Sequence, residues 1–343
     1  MQAAASPMAE EIFALHMLIY WICVAIAVLV FGFMFFSIFR YRKSKGAVAA
    51  QFHESTTVEI AWTIVPFLIL VGMAVPATRT LIAMEDTSGS ELSVVVTGYQ
   101  WYWKYDYLGE DVSFFSRLTT SEEERLGQVE RSPNYLLEVD NPVVIPTNTK
   151  VRFLLTSNDV IHAWWVPRFG VKKDAIPGFV NEVWADVSEP GVYRGLCAEL
   201  CGRGHAFMPI EVHVVPQEEY VAWLDEQRQL AAAEAEAAEQ EWSQEDLMTR
   251  GQQVYNTNCA MCHQANGQGV PGVFPALAGS DKVTGDVEQA VDIVMNGVPG
   301  TAMPAFGPQL NDVDLAAVVT YIRNAWDNNA GDAVQPADIQ AAR

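Results

Sequence analysis

Cys197-Ala-Glu-Leu-Cys201-Gly-Arg-Gly-His205-Ala-Phe-Met208, taken with His162 upstream, decides how the rest of the chain is read. Two thiols, two imidazoles and a thioether make a chemically selective set. Thiolate and thioether are soft donors that favour copper, whereas imidazole suits copper and zinc alike. A structural zinc site closes with four Cys or His ligands and has no use for Met208. A single-copper electron-transfer site needs one Cys, two His and a weak axial Met, which leaves one Cys over. Two thiolates in one tight Gly-containing loop can instead bridge two copper ions, each capped by one His and one weak ligand. An unpaired electron shared by such a pair leaves little geometry to change on electron transfer. The competing reading is a disulfide between Cys197 and Cys201, with the His and Met residues as packing.

With these residues in view, the stretch 157–215 resembles the binuclear copper (CuA) domain of subunit II of haem-copper cytochrome c oxidases. The resemblance implies copper ligation by His162, Cys197, Cys201, His205, Met208 and the backbone carbonyl of Glu199. Its fold is a cupredoxin-like Greek-key β-sandwich, and the sequence agrees. Short β-branched and aromatic runs at 92–97, 135–139, 150–156, 183–187, 191–194 and 210–215 are separated by Gly, Pro, Asn and Asp, the pattern of a sandwich or barrel. In that layout His162 follows one strand and the loop from Cys197 to Met208 joins the last two.

The segment Gly98-Tyr-Gln-Trp101-Tyr-Trp103-Lys-Tyr105-Asp-Tyr107 is densely aromatic. At strand alternation Trp101, Trp103, Tyr105 and Tyr107 share one face, so core packing is the default. The resemblance singles out Trp101 as the ring through which electrons enter, and Tyr99 stands where many relatives have His. It also implies that the Glu199 side chain reaches a Mg2+ ion at the boundary with subunit I, the partner supplying the other ligands. The stretch 171–178 matches the same boundary. Residues 109–134 read as a charged, exposed insertion without an assigned role, and His213 as structural.

Upstream, 12–39 is an almost unbroken apolar run, more than the ~20 residues a bilayer-crossing helix needs. A second run, 60–77, contains Pro66, Gly72 and Pro76, which membrane helices tolerate. The bases of 40–45 lie between them and 1–11 has none, so the positive-inside rule puts the loop in the cytoplasm and both chain ends outside. The first run is too long for a cleaved signal and lacks a basic leader; a signal peptide preceding Met1 stays open. The stretch from Thr56 to Pro66 is similar to the family's second helix. That similarity makes Glu59 the entrance of a proton path, against a plain interfacial carboxylate at a helix N-terminus. His16 and His53 are interfacial polar residues, and Cys23 a small buried hydrophobe.

Downstream, 220–242 is rich in Ala, Glu and Gln without Gly or Pro, and predicts a semi-rigid helical spacer. Its large apolar residues look too sparse to demand burial. Cys259-Ala-Met-Cys262-His263 is the C-x-x-C-H signature of covalent haem c attachment, His263 being the proximal ligand. A helix pattern precedes it at 247–255 and another follows at 315–326. Met303, before a Pro in a loop, is the sixth ligand by similarity to class I cytochromes c, with Met295 and Met261 as rivals.

The 343 residues carry a formal net charge of -21, much of it after residue 217. Such acidity argues against nucleic acid and for basic protein partners. The chain thus reads as a multidomain membrane protein. A two-helix transmembrane hairpin (1–90) precedes a cupredoxin-like binuclear copper domain (91–216). A helical linker (217–243), an all-α cytochrome c domain (244–330) and a C-terminal tail (331–343) follow.

The resemblance implies the electron-input subunit of a proton-pumping respiratory cytochrome c oxidase. Electrons pass from a c-type cytochrome through haem c and the binuclear copper to subunit I, where oxygen is reduced to water. No catalytic residue is expected in this chain. Subunits I and III and the lipid bilayer are the expected partners, in a bacterial inner membrane with the copper and haem domains on the periplasmic side. Two alternatives remain: the copper-bearing subunit of a nitric oxide reductase, and a membrane copper-delivery protein. Nitrous oxide reductase is set aside, because six His cannot also supply its catalytic cluster.

Overall fold

In the computed structural model residues 2–48, 51 and 53–343 are described. The chain forms two compact units, Met1–Leu224 and Asp225–Arg343.

The first unit begins with α1 (Pro7–Arg40) and α2 (Thr56–Glu85), both long and apolar enough to cross a bilayer. At 1.5 Å per residue each exceeds the ~30 Å of hydrocarbon it has to span. Side chains such as Val28, Leu29 and Phe33 are about 70% exposed, tolerable only where the surroundings are lipid or another apolar surface. Ser6 starts α1, its Oγ accepting from the Ala9 N–H at 3.0 Å and donating to the Phe169 carbonyl at 2.7 Å. That second bond ties the helix start to the sandwich. Pro66 and Pro76 lie inside α2. Its far end is tied likewise: Lys173 pairs with Glu85 at 2.9 Å, and the Trp184 indole donates to the Ala83 carbonyl.

The sandwich follows as β1 (Leu92–Tyr99), β2 (Tyr102–Tyr107), β3 (Val112–Ser116), the short α3 (Glu122–Arg125) and β4 (Val143–Pro146). Then come β5 (Val151–Ser157), β6 (His162–Val166), β7 (Val171–Ala175), β8 (Asn181–Ala185), β9 (Gly191–Cys197) and β10 (Pro209–Val215). One sheet runs β3-β2-β1-β5-β8 and the other β4-β10-β9-β6-β7. Alternation puts Val94, Val96, Phe153 and Leu155 of the first sheet against Trp164, Val166, Ile210 and Val212 of the second in one buried core.

Four expectations are corrected. The segment 135–139 is not a strand but a turn, with Leu136 at φ 61° and a lone bridge from Leu118 to Val139. The insertion is not wholly exposed: β3 pairs with β2, and the Glu124 side chain is buried. Trp101 leaves the face of its aromatic neighbours, because it sits in the turn before β2 while Trp103, Tyr105 and Tyr107 are buried. Finally, α4 (Gln217–Ala238) buries Tyr220 and Leu224, since Tyr107 and Phe114 offer Trp223 a ring surface at centroid distances of 5.1 and 6.0 Å.

The second unit is helical. It contains α5 (Gln244–Asn258), α6 (Ala260–His263), α7 (Asp281–Thr284), α8 (Val287–Asn296), α9 (Asp312–Asn324) and α10 (Pro336–Ala342). α9 forms its centre, with Leu315, Ala316, Val318 and Val319 buried against Leu247, Val254 and Tyr255 of α5. The C-terminal segment packs on α9: Ile339 is fully buried and Val334 N–H donates to Thr320 Oγ1 at 2.9 Å.

Candidate metal centre

Two loops at one end of the sandwich bring the soft donors together. The β5 to β6 turn delivers His162, and the loop 197–208 between β9 and β10 delivers the rest. Cys197 Sγ lies 3.9 Å from Cys201 Sγ and 3.9 Å from His162 Nδ1. Cys201 Sγ lies 3.6 Å from His205 Nδ1 and 3.6 Å from Met208 Sδ. The Glu199 carbonyl is 3.3 Å from Cys197 Sγ, and its side chain is exposed. A disulfide needs about 2.05 Å between sulfurs, so the two cysteines are free thiols. A metal–thiolate bond is about 2.3 Å, so sulfurs at this separation can both reach the same ion from either side. Each then has a His at hand, and Cys201 has the thioether as well.

The electrostatics favour a cation. Burial opposes ionisation of Cys197, but hydrogen bonds from the His162 ring and nearby backbone outweigh it and bring the thiol down to about 7. Burial, and then the neighbouring Cys197 charge, push Cys201 up to about 12. The thiols titrate as a pair: one thiolate forms near neutrality, and the second proton leaves readily only when a metal displaces it.

A second layer of residues fixes these ligands. Asp159 Oδ1 lies 2.9 Å from His162 Nε2, which leaves Nδ1 facing the sulfurs. Burial alone would lower the pKa of His162, yet this contact and Cys197 raise it. The other Asp159 oxygen accepts the Gln100 N–H at 2.7 Å. Gln100 Nε2 and Trp101 Nε1 both donate to the Cys201 carbonyl, at 2.8 and 3.0 Å. Trp101 lies flat against Gly204, where an added Cβ would meet its ring at 2.2 Å. Trp103, fully buried, sets its ring edge-on to His162 at 5.8 Å and donates to the Met208 carbonyl at 3.3 Å.

In the helical unit, Cys259 and Cys262 are not joined in a disulfide and lie partly buried beside His263. His263 Nδ1 is 3.0 Å from the Pro275 carbonyl; donating there leaves Nε2 with its lone pair for a metal. Met303 is partly buried in a loop, with its N–H bonded to Thr301 Oγ1. Met295 lies inside the core of α8 and Met261 is 53% exposed. Glu59 is exposed in the first turn of α2.

Residues 1–80 and 92–215 match the families described as the transmembrane domain and the periplasmic domain of cytochrome C oxidase subunit II. The probable cytochrome c oxidase subunit 2 of Rickettsia bellii is 41% identical over 231 residues, 67% of this chain and 84% of that one. The chain belongs to the cytochrome c oxidase subunit 2 family. Subunit 2 of Cereibacter sphaeroides is 38% identical over 240 residues, 66% of this chain and 79% of that one. Residues 246–322 match the family described as cytochrome C oxidase, cbb3-type, subunit III, so this subunit 2 carries a cytochrome c domain in the same chain. Among solved structures, the periplasmic domain of subunit II from Bradyrhizobium japonicum is 39% identical, covering 42% of this chain and 97% of that one at a TM-score of 0.38.

The family implies CuA copper in the sandwich and its cbb3-type domain implies haem c. Both donor sets fit: paired thiolates with two imidazoles and a thioether for copper, and two thiols beside an oriented imidazole for haem. Sequence reasoning missed Asp159, Gln100 and the role of Trp103. Asp159 precedes His162 in the same turn and was within reach of inspection. The other two contacts need the sheet register to be seen.

Proposed function

We propose that this chain receives electrons for a proton-pumping haem-copper oxidase of a bacterial inner membrane and delivers them to subunit I. The observation that carries this is the pair of free thiols 3.9 Å apart, with imidazoles of two different loops beside them. When bound, the copper pair and haem c supply one-electron redox change. The chain's residues hold and orient: Cys197, Cys201, His162, His205, Met208 and the Glu199 carbonyl cradle the copper, with Asp159 fixing the His162 ring. Cys259, Cys262 and His263 would hold haem c covalently and by ligation, and Met303 would supply a further iron ligand. Met303 is favoured over its rivals by its loop position, because Met295 is committed to the core and Met261 to solvent.

Trp101, hydrogen-bonded to the Cys201 carbonyl, is the ring through which electrons enter the copper pair. The exposed Glu199 carboxylate is available to Mg2+ shared with subunit I, while its carbonyl serves the sulfur side. Glu59, exposed at the start of α2, is the proposed proton-path entrance, and subunit III the further partner. The bases of 40–45 support the reading that the copper and haem domains lie on the periplasmic side.

Purifying the native complex tests this. Oxygen uptake with a reduced c-type cytochrome, two coppers and one haem c in this chain are expected. Nitric oxide consumption without oxygen uptake would overturn it.

A further inference from the structure

Between β3 and β4 the segment 117–140 leaves the sandwich and closes on itself. At its base the Asp140 N–H donates to the Arg117 carbonyl at 2.9 Å and the Arg117 N–H to Asp140 Oδ1 at 2.7 Å. The Thr119 N–H donates to the Glu138 carbonyl at 3.1 Å. Inside, Ser121 caps α3, the buried Glu124 carboxylate accepts the Ser132 N–H, and the Leu136 N–H reaches Thr120 Oγ1. A loop bonded to itself so fully holds its shape before any partner arrives.

None of those bonds accounts for Arg125. Its Nε is buried with no hydrogen-bond partner among the described residues, and its guanidinium lies over the Phe207 ring, 5.0 Å from the centroid. Phe207 closes the 3-10 turn His205–Phe207, which lies between two copper-ligand candidates, His205 and Met208. Two short-range backbone bonds hold the turn, from Phe207 N–H to the Gly204 carbonyl and from His205 N–H to that of Gly202. Trp101 presses on the same loop at Gly204. Arg125 is a second grip, through Phe207, and it comes from an otherwise self-contained segment.

We propose that the segment 117–140 braces the copper-ligand loop, and that Arg125 is a positioning residue. Holding Phe207 keeps His205 Nδ1 and Met208 Sδ at their 3.6 Å seats beside Cys201 Sγ. This inference rests on the copper reading of the site. A guanidinium on an aromatic face attracts more strongly the less water reaches it, and here both residues are half-buried and the Nε has no competing acceptor among the described residues.

The test uses the full chain in detergent. Copper release from the loaded protein to a copper(I) chelator is timed, and amide exchange of 204–208 is followed in the metal-free protein. The haem c spectrum serves as internal control. Arg125→Ala should release copper roughly 2- to 30-fold faster, the range a cation–π contact spans, with Arg125→Lys in between. Phe207→Leu should match Arg125→Ala, and the double variant should release no faster than either single one. In the metal-free Arg125→Ala chain, amides of 204–208 should exchange faster while those at the base of the segment do not. Wild-type release and exchange in Arg125→Ala, or effects that simply add, would overturn the brace. A wild-type chain that holds no copper would remove the metal reading, and the exchange measurement would then decide the brace alone.

Discussion

Gly204→Ala is the sharpest perturbation of the copper-ligand loop. Gly204 has φ -90° and ψ 11°, a turn conformation that does not require glycine, so the effect is chiefly steric. A Cβ there would stand 2.2 Å from Trp101 Cδ2, 2.4 Å from Cγ and 2.6 Å from Cε3. Ordinary carbon contacts begin near 3.5 Å, so the ring must retreat by about 1 Å or more. Retreat breaks the 3.0 Å bond from Trp101 Nε1 to the Cys201 carbonyl. Overpacking of this kind costs about 1–3 kcal/mol, and the lost bond about 1 kcal/mol more. The copper-domain transition, followed in detergent by copper absorbance, should fall by roughly 4–16 °C. Electron input from a reduced c-type cytochrome should slow while two coppers remain bound. The double variant Trp101→Ala with Gly204→Ala has no ring to clash, so it should be no less stable than Trp101→Ala alone. If Gly204→Ala melts with wild type, or if the two losses add, Trp101 does not lie where the argument places it.

Three other outcomes follow from the same residues. Cys197→Ser should abolish the copper absorbance and leave the haem c spectrum intact, because the two groups sit in separate compact units. Met303→Ala should lower the haem potential, as Met/His ligation raises it, and leave the copper count per chain unchanged. Copper uptake should release protons with a pH-dependent count. Above pH ~7 Cys197 is already ionised and Cys201, held near 12, gives up about one proton. Below pH ~7 both thiols are protonated and the His162 ring, raised above its ordinary value, still carries a proton, so two or more protons leave and apparent affinity falls more steeply as pH drops. Titration of the metal-free chain in weakly buffered solution reads the count; one proton at pH 6 would sink the assignment of the lower value to this pair.

Much of the donor set was legible because soft-ligand chemistry needs particular side chains, and spacing inside one loop survives in the sequence. Cys197, Cys201, His205 and Met208 lie within one loop, and Cys259, Cys262 and His263 within one turn. The hairpin was legible for a similar reason: helices that satisfy their own backbone need only length and apolarity to reveal themselves. What escaped depends on register. Gln100 meets Cys201 only because the turn after β1 comes to lie over the loop between β9 and β10, from a different sheet. The strand expected at 135–139 failed because an aromatic and aliphatic composition cannot tell a ladder from a turn that buries one or two residues.

Burial of the linker helix was not legible in its composition. Few apolar residues in a helix suggest that it needs no partner, yet burial is decided by what the partner offers. Tyr107 and Phe114 leave an aromatic face uncovered, and Tyr220, Trp223 and Leu224 complete it. At the other end, Ile339 and Val334 fill the side of α9. Sparse apolar residues are therefore informative when their spacing is helical: Tyr220, Trp223 and Leu224 are an i, i+3, i+4 set, one face of one turn. The same logic reaches Arg125. A basic residue in a charged insertion looks like solvated surface until the ring it covers is known, and that ring belongs to the turn carrying His205. Chemistry-bearing residues announce themselves by type, whereas the residues that hold them in place are ordinary in type and become visible only through contact.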